Sequence, residues 1–455
     1  MTDFVNNNCI VAISTPPGMG ALAVIRLSGE GVFELVSSVF TKDLTTAKSH
    51  TIHYGFVKED KETVDEVMIS VFRAPKSFTT EDSVEISCHG STYIQQRILE
   101  LLIKKGAHLA KPGEFTMRAF LNGRIDLSQA EAVADLIASE STASHDLAIK
   151  QMRGGFSHEI EGLRQQLIEF AALIELELDF GEEDVEFANR TDLKELVEKI
   201  LRLVKNLMQS FHLGNVIKNG VTTVIVGRPN AGKSTLLNAF LNEERAIVSD
   251  IAGTTRDTIE EALNINGILF KLIDTAGIRD AKDQIEALGV EKTKEKMRSS
   301  TLLLYVYDAG QLSLQEVEQD LQTIQSDNPI KVMVVANKID ALTEAQIQSI
   351  PAEHYKVSAK TKTGVHEIKE TLYYKVISNP EQMNTTIVTN IRHFEALQKT
   401  QSALQDVLNG MAMNISSDLI AMDIRHALRH LGEITGSIST DDLLDNIFSN
   451  FCIGK

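Results

Sequence analysis

The clearest chemistry lies in Gly227-Arg228-Pro229-Asn230-Ala231-Gly232-Lys233-Ser234, followed by Thr235, within the stretch 221–241. An apolar β-branched run at 221–226 leads in, and a Leu/Asn/Ala pattern of helical period follows. The spacing G-x-x-x-x-G-K-S lets consecutive backbone N–H groups curl round phosphate oxygens. Lys233 then neutralises the outer phosphates, and the Ser234 hydroxyl can hold Mg²⁺. A glycine turn before a core helix would need neither the lysine nor the serine. Asn230 sits beside the β–γ bridge, where its side-chain oxygen could ligate a monovalent cation; an ordinary turn asparagine is the plainer reading.

Four further motifs follow along the chain, each at the end of a strand-like run or in a loop beside one. Asp274-Thr275-Ala276-Gly277 offers a carboxylate to Mg²⁺ and a glycine N–H to a γ-phosphate, and Thr255, in Gly253-Thr254-Thr255-Arg256-Asp257, could be the second protein ligand of that ion. In Asn337-Lys338-Ile339-Asp340, the aspartate can accept two hydrogen bonds from guanine, whereas adenine offers no such donor pair. Ser358-Ala359-Lys360 supplies the remaining base contact. Together the motifs predict GTP as ligand. The position after Gly277 holds Ile278, which cannot orient water as the glutamine of Ras does, so another group must, and Glu286 lies nearby in the stretch 280–289; Arg256 and Arg279 could serve as charge-stabilising fingers, with a surface ion pair the plainer reading of either.

The elements that carry these residues follow from length and pattern. At 455 residues the chain exceeds what one core supports, so about two to four domains are expected. Residues 1–122 read as α/β, with strand-like runs at 10–13, 21–27, 67–72 and 83–87 and a helix over 93–105. Thr15-Pro16-Pro17-Gly18-Met19-Gly20 has no lysine to counter phosphate and reads as a rigid turn. Arg26 and Glu85 stand in otherwise apolar runs, so each needs a partner or a ligand. Residues 123–219 are helical: Leu127, Ala130, Val133, Ala134, Leu136 and Ile137 share one face, and Leu163, Leu167, Phe170, Leu173 and Ile174 share another. Asp126 and Ser128 are the candidate caps of the first helix. Helical periodicity returns within 379–455. The two helical stretches are expected to pack together, with 220–378 inserted between them as a doubly wound sheet. Its strand-like runs fall at 269–273, 301–307, 331–336 and 354–357, and ligands of such sheets sit at the carboxyl ends of the strands.

Composition narrows the partners. A net charge of −18 excludes a surface that grips nucleic acid all over, so any such site is local. Carboxylates concentrate at 175–186, either a solvated helix end or a docking surface for a basic partner. Cys9, Cys88 and Cys452 have no close pairing, which points to a reducing compartment and away from a zinc site. No apolar run reaches about 18 residues and no leader opens the chain, so a cytoplasmic protein with no membrane partner is expected.

The chain resembles one family from end to end, the bacterial tRNA-modification GTPase family MnmE, also called TrmE. The resemblance rests on Ala12-Ile13-Ser14-Thr15-Pro16-Pro17-Gly18-Met19-Gly20, on His89-Gly90, on Pro112-Gly113-Glu114-Phe115 and on Asp126-Leu127-Ser128-Gln129-Ala130-Glu131-Ala132. The nucleotide motifs and the tail Phe451-Cys452-Ile453-Gly454-Lys455 complete it. It implies an α/β plus all-α protein. An N-terminal α/β dimerisation domain, 1–122, would bind a tetrahydrofolate one-carbon derivative. A helical domain, 123–219 and 379–455, would be split by a doubly wound Ras-like G domain, 220–378. The resemblance also implies a homodimer that works with the flavin-dependent partner MnmG, as a heterotetramer, to install an aminomethyl-type group on carbon 5 of the wobble uridine of certain tRNAs. K⁺-promoted pairing of G domains would trigger GTP hydrolysis.

Position by position, Asn230, Ser249, Ile251 and Thr254 match the family's K⁺ ligands, and Ser234 and Thr255 its Mg²⁺ ligands. Asp250, Ala252 and Gly253 belong to the same nucleotide-contacting loop. Glu286 matches the carboxylate that positions water. Arg26, Glu85, Arg124 and Lys455 fall on folate-contacting positions, with Arg124 where some relatives carry lysine. Cys452 matches the family's C-terminal cysteine. A rival from another class is a GTP-switched ribosome or membrane assembly factor without modification chemistry. It would need a basic RNA-binding module or an amphipathic membrane helix, and neither is found after residue 379.

Overall fold

The computed structural model describes residues 8–179, 190–243, 260–274, 298, 300–327, 331–377 and 379–454. Two compact units emerge: Met1–Ile137 with Lys150–Arg202 and Glu395–Lys455, and Ala138–Ile149 with Leu203–Phe394. Among the described residues no helix is long and apolar enough to cross a membrane.

The first unit is built on six strands: β1 (Ile10–Ile13), β2 (Leu22–Ser28), β3 (Thr51–Glu59), β4 (Glu62–Phe72), β5 (Ser83–His89) and β6 (His108–Leu109). Their order is β3-β4-β5-β2-β1-β6, antiparallel except for the β1/β6 pair. In β4 Val67, Ile69 and Val71 point into the core while Glu66 and Met68 face out, the two-residue period of a half-covered sheet. The helix Thr92–Lys104 lays Ile98, Leu101 and Leu102 on the buried face. Sequence reading misses β3, an edge strand whose alternating Ile52, Tyr54 and Phe56 fall on its less buried face, with Ile52 and Tyr54 exposed.

The helices of this unit pack as their periodicity demands, Gly155–Asp179 against Ser417–Thr435. Leu127–Ile137 starts at a reciprocal cap: Asp126 accepts from the Gln129 N–H at 2.9 Å, and the Gln129 side chain accepts from the Asp126 N–H at 2.9 Å. Ser128 lies inside the first turn and is not the cap. The helix Asp441–Ser449 packs on Glu114–Leu121. From there the tail returns to the sheet, where the Ser14 hydroxyl donates to the Gly454 carbonyl at 3.2 Å.

The second unit contains β7 (Val221–Val226), β8 (Glu260–Ile265), β9 (Ile268–Asp274), β10 (Leu302–Asp308), β11 (Lys331–Asn337) and β12 (Tyr355–Lys356). The order is β12-β11-β10-β7-β9-β8, parallel apart from β8. Every residue of β10 is buried, which is why 302–307 reads as an unbroken apolar run. One face of the sheet packs Leu236 and Phe240 of the helix Lys233–Glu243 and Ile368 and Leu372 of Val365–Val376. The other packs Val317 of Leu314–Asp327. Ala143, Leu147, Leu213, Val216 and Ile387 join the first of these cores, so the compact unit takes in segments flanking 220–378. Sequence reading misses β8, although Asn266-Gly267, at φ 50° and 86°, is the two-residue turn of a β8/β9 hairpin.

Candidate nucleotide-binding site

The strand β7 has β10 on one side and β9 on the other, so the loop after it opens at the point where the strand order reverses. Gly227 sits at φ 151°, and a Cβ there would lie 2.0 Å from the Val306 carbonyl oxygen. Asn230 takes a left-handed φ of 62°, and Gly232 a φ of 90°. The buried Lys233 folds its ammonium back over the loop, donating to the carbonyls of Gly227 at 3.0 Å and Arg228 at 3.1 Å. A cation is thereby placed at the start of a helix whose first N–H groups have no intrahelical acceptor, an arrangement that receives an anion. Ser234 and Thr235 follow, exposed, in the first helical turn.

Across the same edge, β11 ends in Asn337, whose amide is buried between two loops. Its nitrogen donates to the Ala231 carbonyl at 2.9 Å and its oxygen accepts from the Ala359 N–H at 3.0 Å. Lys338, at φ 64°, pairs its ammonium with Asp308 at 2.8 Å. Asp340 accepts the Ser358 hydroxyl at 2.6 Å. That hydrogen bond holds the Asp340 carboxyl below its ordinary range, so it is an ionised acceptor at neutral pH. Lys360 adjoins Ala359 and adds to the same lowering. Sequence reasoning missed Asp308, although its place as the last residue of an apolar strand is the same signal that marks Asp274 and Asn337.

The structure thus brings Asn230, Ala231, Gly232, Lys233, Ser234, Thr235, Asn337, Lys338, Asp340, Ser358, Ala359 and Lys360 to one edge of one sheet. Asp274 closes β9 at that edge, its side chain outside the description. Ser249, Asp250, Ile251, Ala252, Gly253, Thr254, Thr255, Thr275, Ala276, Gly277 and Glu286 lie outside the described residues. Of the expected metal ligands, the described ones are Ser234 and Asn230. Both are exposed oxygen donors at the phosphate loop, a donor set that fits hard cations.

A second group lies in the first unit. Arg26 and Glu85 face each other on β2 and β5 and pair at 2.7 Å, each side chain about a quarter exposed, 24% and 29%. The Arg26 guanidinium stands 5.7 Å from the centre of the Phe78 ring, and that of Arg124 5.2 Å from the same ring. Arg124 also donates to the Ser77 carbonyl at 2.6 Å. Two guanidiniums and a carboxylate around an aromatic ring fit a planar ligand that carries both donors and carboxylates. Gly454 lies in the same unit, and Lys455 is outside the described residues.

Residues 9–124 match the family model described as GTP-binding protein TrmE N-terminus, and residues 127–452 match the one described as MnmE helical domain. The chain belongs to the MnmE family of tRNA modification GTPases. The tRNA modification GTPase MnmE of Cytophaga hutchinsonii is 56% identical over 99% of this chain and 98% of its own. That of Flavobacterium johnsoniae is 53% identical over 99% and 100%. Among solved structures, a variant of Aquifex aeolicus Era bound to GDP.AlF4- is 28% identical, covering 40% of this chain and 66% of its own, at a TM-score of 0.28. With its family, the chain is a GTP hydrolase, and an N-terminal TrmE domain, a helical domain and a G domain compose it.

Proposed function

We propose that the chain is a K⁺-stimulated GTPase that acts as a homodimer with the flavin-dependent partner MnmG on the wobble uridine of certain tRNAs. The carbon of the aminomethyl-type group placed on C5 is drawn from a tetrahydrofolate one-carbon derivative. The observation that carries the nucleotide half is the Asn337 amide, which ties the phosphate loop at Ala231 to the base loop at Ala359. The names of the relatives support the tRNA half. The proposed domains are 1–122 for folate and dimerisation, 123–219 and 379–455 for the helical domain, and 220–378 for the G domain, in a cytoplasmic protein.

In this reading Lys233 neutralises the outer phosphates, Asp340 selects guanine with Ser358, Ala359 and Lys360 beside it, and Glu286 positions water. Mg²⁺ would be held by Ser234 and Thr255, and K⁺ by Asn230, Ser249, Ile251 and Thr254. Each would supply positive charge where phosphate charge develops. Arg26, Glu85, Arg124 and Lys455 would hold the folate.

Exchanging Na⁺ for K⁺ at constant ionic strength is expected to raise GTP turnover severalfold; equal rates in the two salts would remove the cation from the reading. Nucleoside mass spectrometry on tRNA from cells lacking the gene tests the rest. Loss of the modified wobble uridine is expected, and an unchanged nucleoside profile would instead favour an assembly factor.

A further inference from the structure

The motif spacing leaves the residue after Gly227 open, yet the Arg228 side chain makes three hydrogen bonds to carboxylates. Its guanidinium forks onto Asp320, Nε to Oδ2 at 2.9 Å and Nη2 to Oδ1 at 3.2 Å, and its Nη1 donates to Glu316 at 2.9 Å. Each acceptor is itself held. Asp320 Oδ2 takes the hydroxyl of Tyr305 at 2.6 Å, from a ring buried in β10. The other oxygen of Glu316 takes the N–H and hydroxyl of Ser313 at 3.0 and 2.8 Å, where the helix Leu314–Asp327 begins.

The charges are secured as well. The Ser313 N–H, the Ser313 hydroxyl and Arg228 bring the Glu316 carboxyl down to about 2. Burial would raise Asp320, but the hydrogen bonds from Arg228 and Tyr305 outweigh it and lower the carboxyl. The main chain of Arg228 meanwhile presents its carbonyl to Lys233.

We infer that Arg228 is a positioning residue for nucleotide. Its fork onto Asp320, braced by Tyr305, fixes the first half of the phosphate loop so that the Gly227 and Arg228 carbonyls hold Lys233 where phosphates arrive. A loop ordered before binding costs less to order on binding, so the fork acts on affinity. Lysine cannot reproduce it, because an ammonium is a point charge without the two-pronged geometry. With Nε, Nη1 and Nη2 all engaged, this arginine is not free to act as a charge-stabilising finger.

The test compares full-length wild type with Arg228→Lys, Asp320→Asn, Tyr305→Phe and the Arg228→Lys/Asp320→Asn pair. It reads the Kd for fluorescent mant-GDP, KM and kcat for GTP, and the melting temperature. The two fork variants are expected to raise Kd and KM about 5- to 30-fold, with kcat at saturating GTP within about twofold of wild type. Tyr305→Phe is expected to raise Kd less, about 2- to 5-fold. The double variant is expected to be no weaker than the weaker-binding single, because both remove one fork.

Wild-type Kd in Arg228→Lys would overturn the inference. So would losses of affinity that merely track losses of melting temperature, or losses that add in the double variant. If Asp320→Asn fails to fold, the partly exposed Arg228 side chain still carries the test through Arg228→Lys and Tyr305→Phe. Failure of wild type itself to bind mant-GDP would remove the nucleotide reading, and not this one alone.

Discussion

Replacing Asp340 with asparagine is expected to weaken GTP and GDP binding by about 10²- to 10⁴-fold, since one of its two hydrogen bonds to guanine becomes a donor–donor clash and the other loses its charged acceptor. Asparagine presents one donor and one acceptor where aspartate presents two acceptors. That pattern suits xanthine, whose ring carries an oxygen where guanine carries an amine, so xanthine nucleotides should gain affinity as guanine nucleotides lose it. Competition titrations with the two bases check this, and an unchanged guanine preference would strip Asp340 of its role. The Ser358 hydroxyl holds the Asp340 carboxyl below its ordinary 3.8. Its contribution is therefore complete above the unfolded-state value and is lost only as pH falls through the lower folded one. Acid weakening of guanine binding through this group should begin below the normal aspartate range.

Gly232→Ala is the second large effect. At φ 90° an L side chain is strained, and the new Cβ would stand 2.3 Å from the Asn337 amide nitrogen. That amide joins the phosphate loop to the base loop, so yielding to the methyl breaks the bond from Asn337 to Ala231 or shifts Ala359. A stability loss of about 2–4 kcal/mol is expected in denaturant unfolding, with nucleotide affinity down by about 10²-fold or more. Gly162→Ala is the control: it lies within the helix Gly155–Asp179 with nothing near its Cβ position, and should stabilise by about 0.5–1 kcal/mol. If Gly232→Ala bound and unfolded like wild type, the close approach described here would be wrong.

The phosphate loop, Asn337 to Asp340 and Ser358 to Lys360 were legible as amino acids because each motif's chemistry is local. A glycine is needed where a phosphate meets backbone, a lysine where charge must be met, and an aspartate where two donors must be caught. The strands β7, β9, β10 and β11 were legible for a related reason, since a strand covered on both faces is built mainly from apolar residues. β3 and β8 were not, because an edge strand need bury little.

Arg26 and Glu85 were recognisable as charges in apolar surroundings, and the sequence left open whether each would meet a partner or a ligand. The register of β2 against β5 made them each other's partner. Likewise, Arg228 and Asp320 are 92 positions apart, and Ser14 and Gly454 are 440. Sequence alone determined which residues could handle a guanine nucleotide and which runs had to be buried, because backbone conformation, charge and hydrogen-bonding valence belong to single residues and short spacings. Tertiary structure decided which distant side chains meet: the brace behind the phosphate loop, the Asn337 tie and the return of the tail to β1. Those meetings depend on strand order and register, which follow from the summed burial of whole elements and from no short stretch of chain.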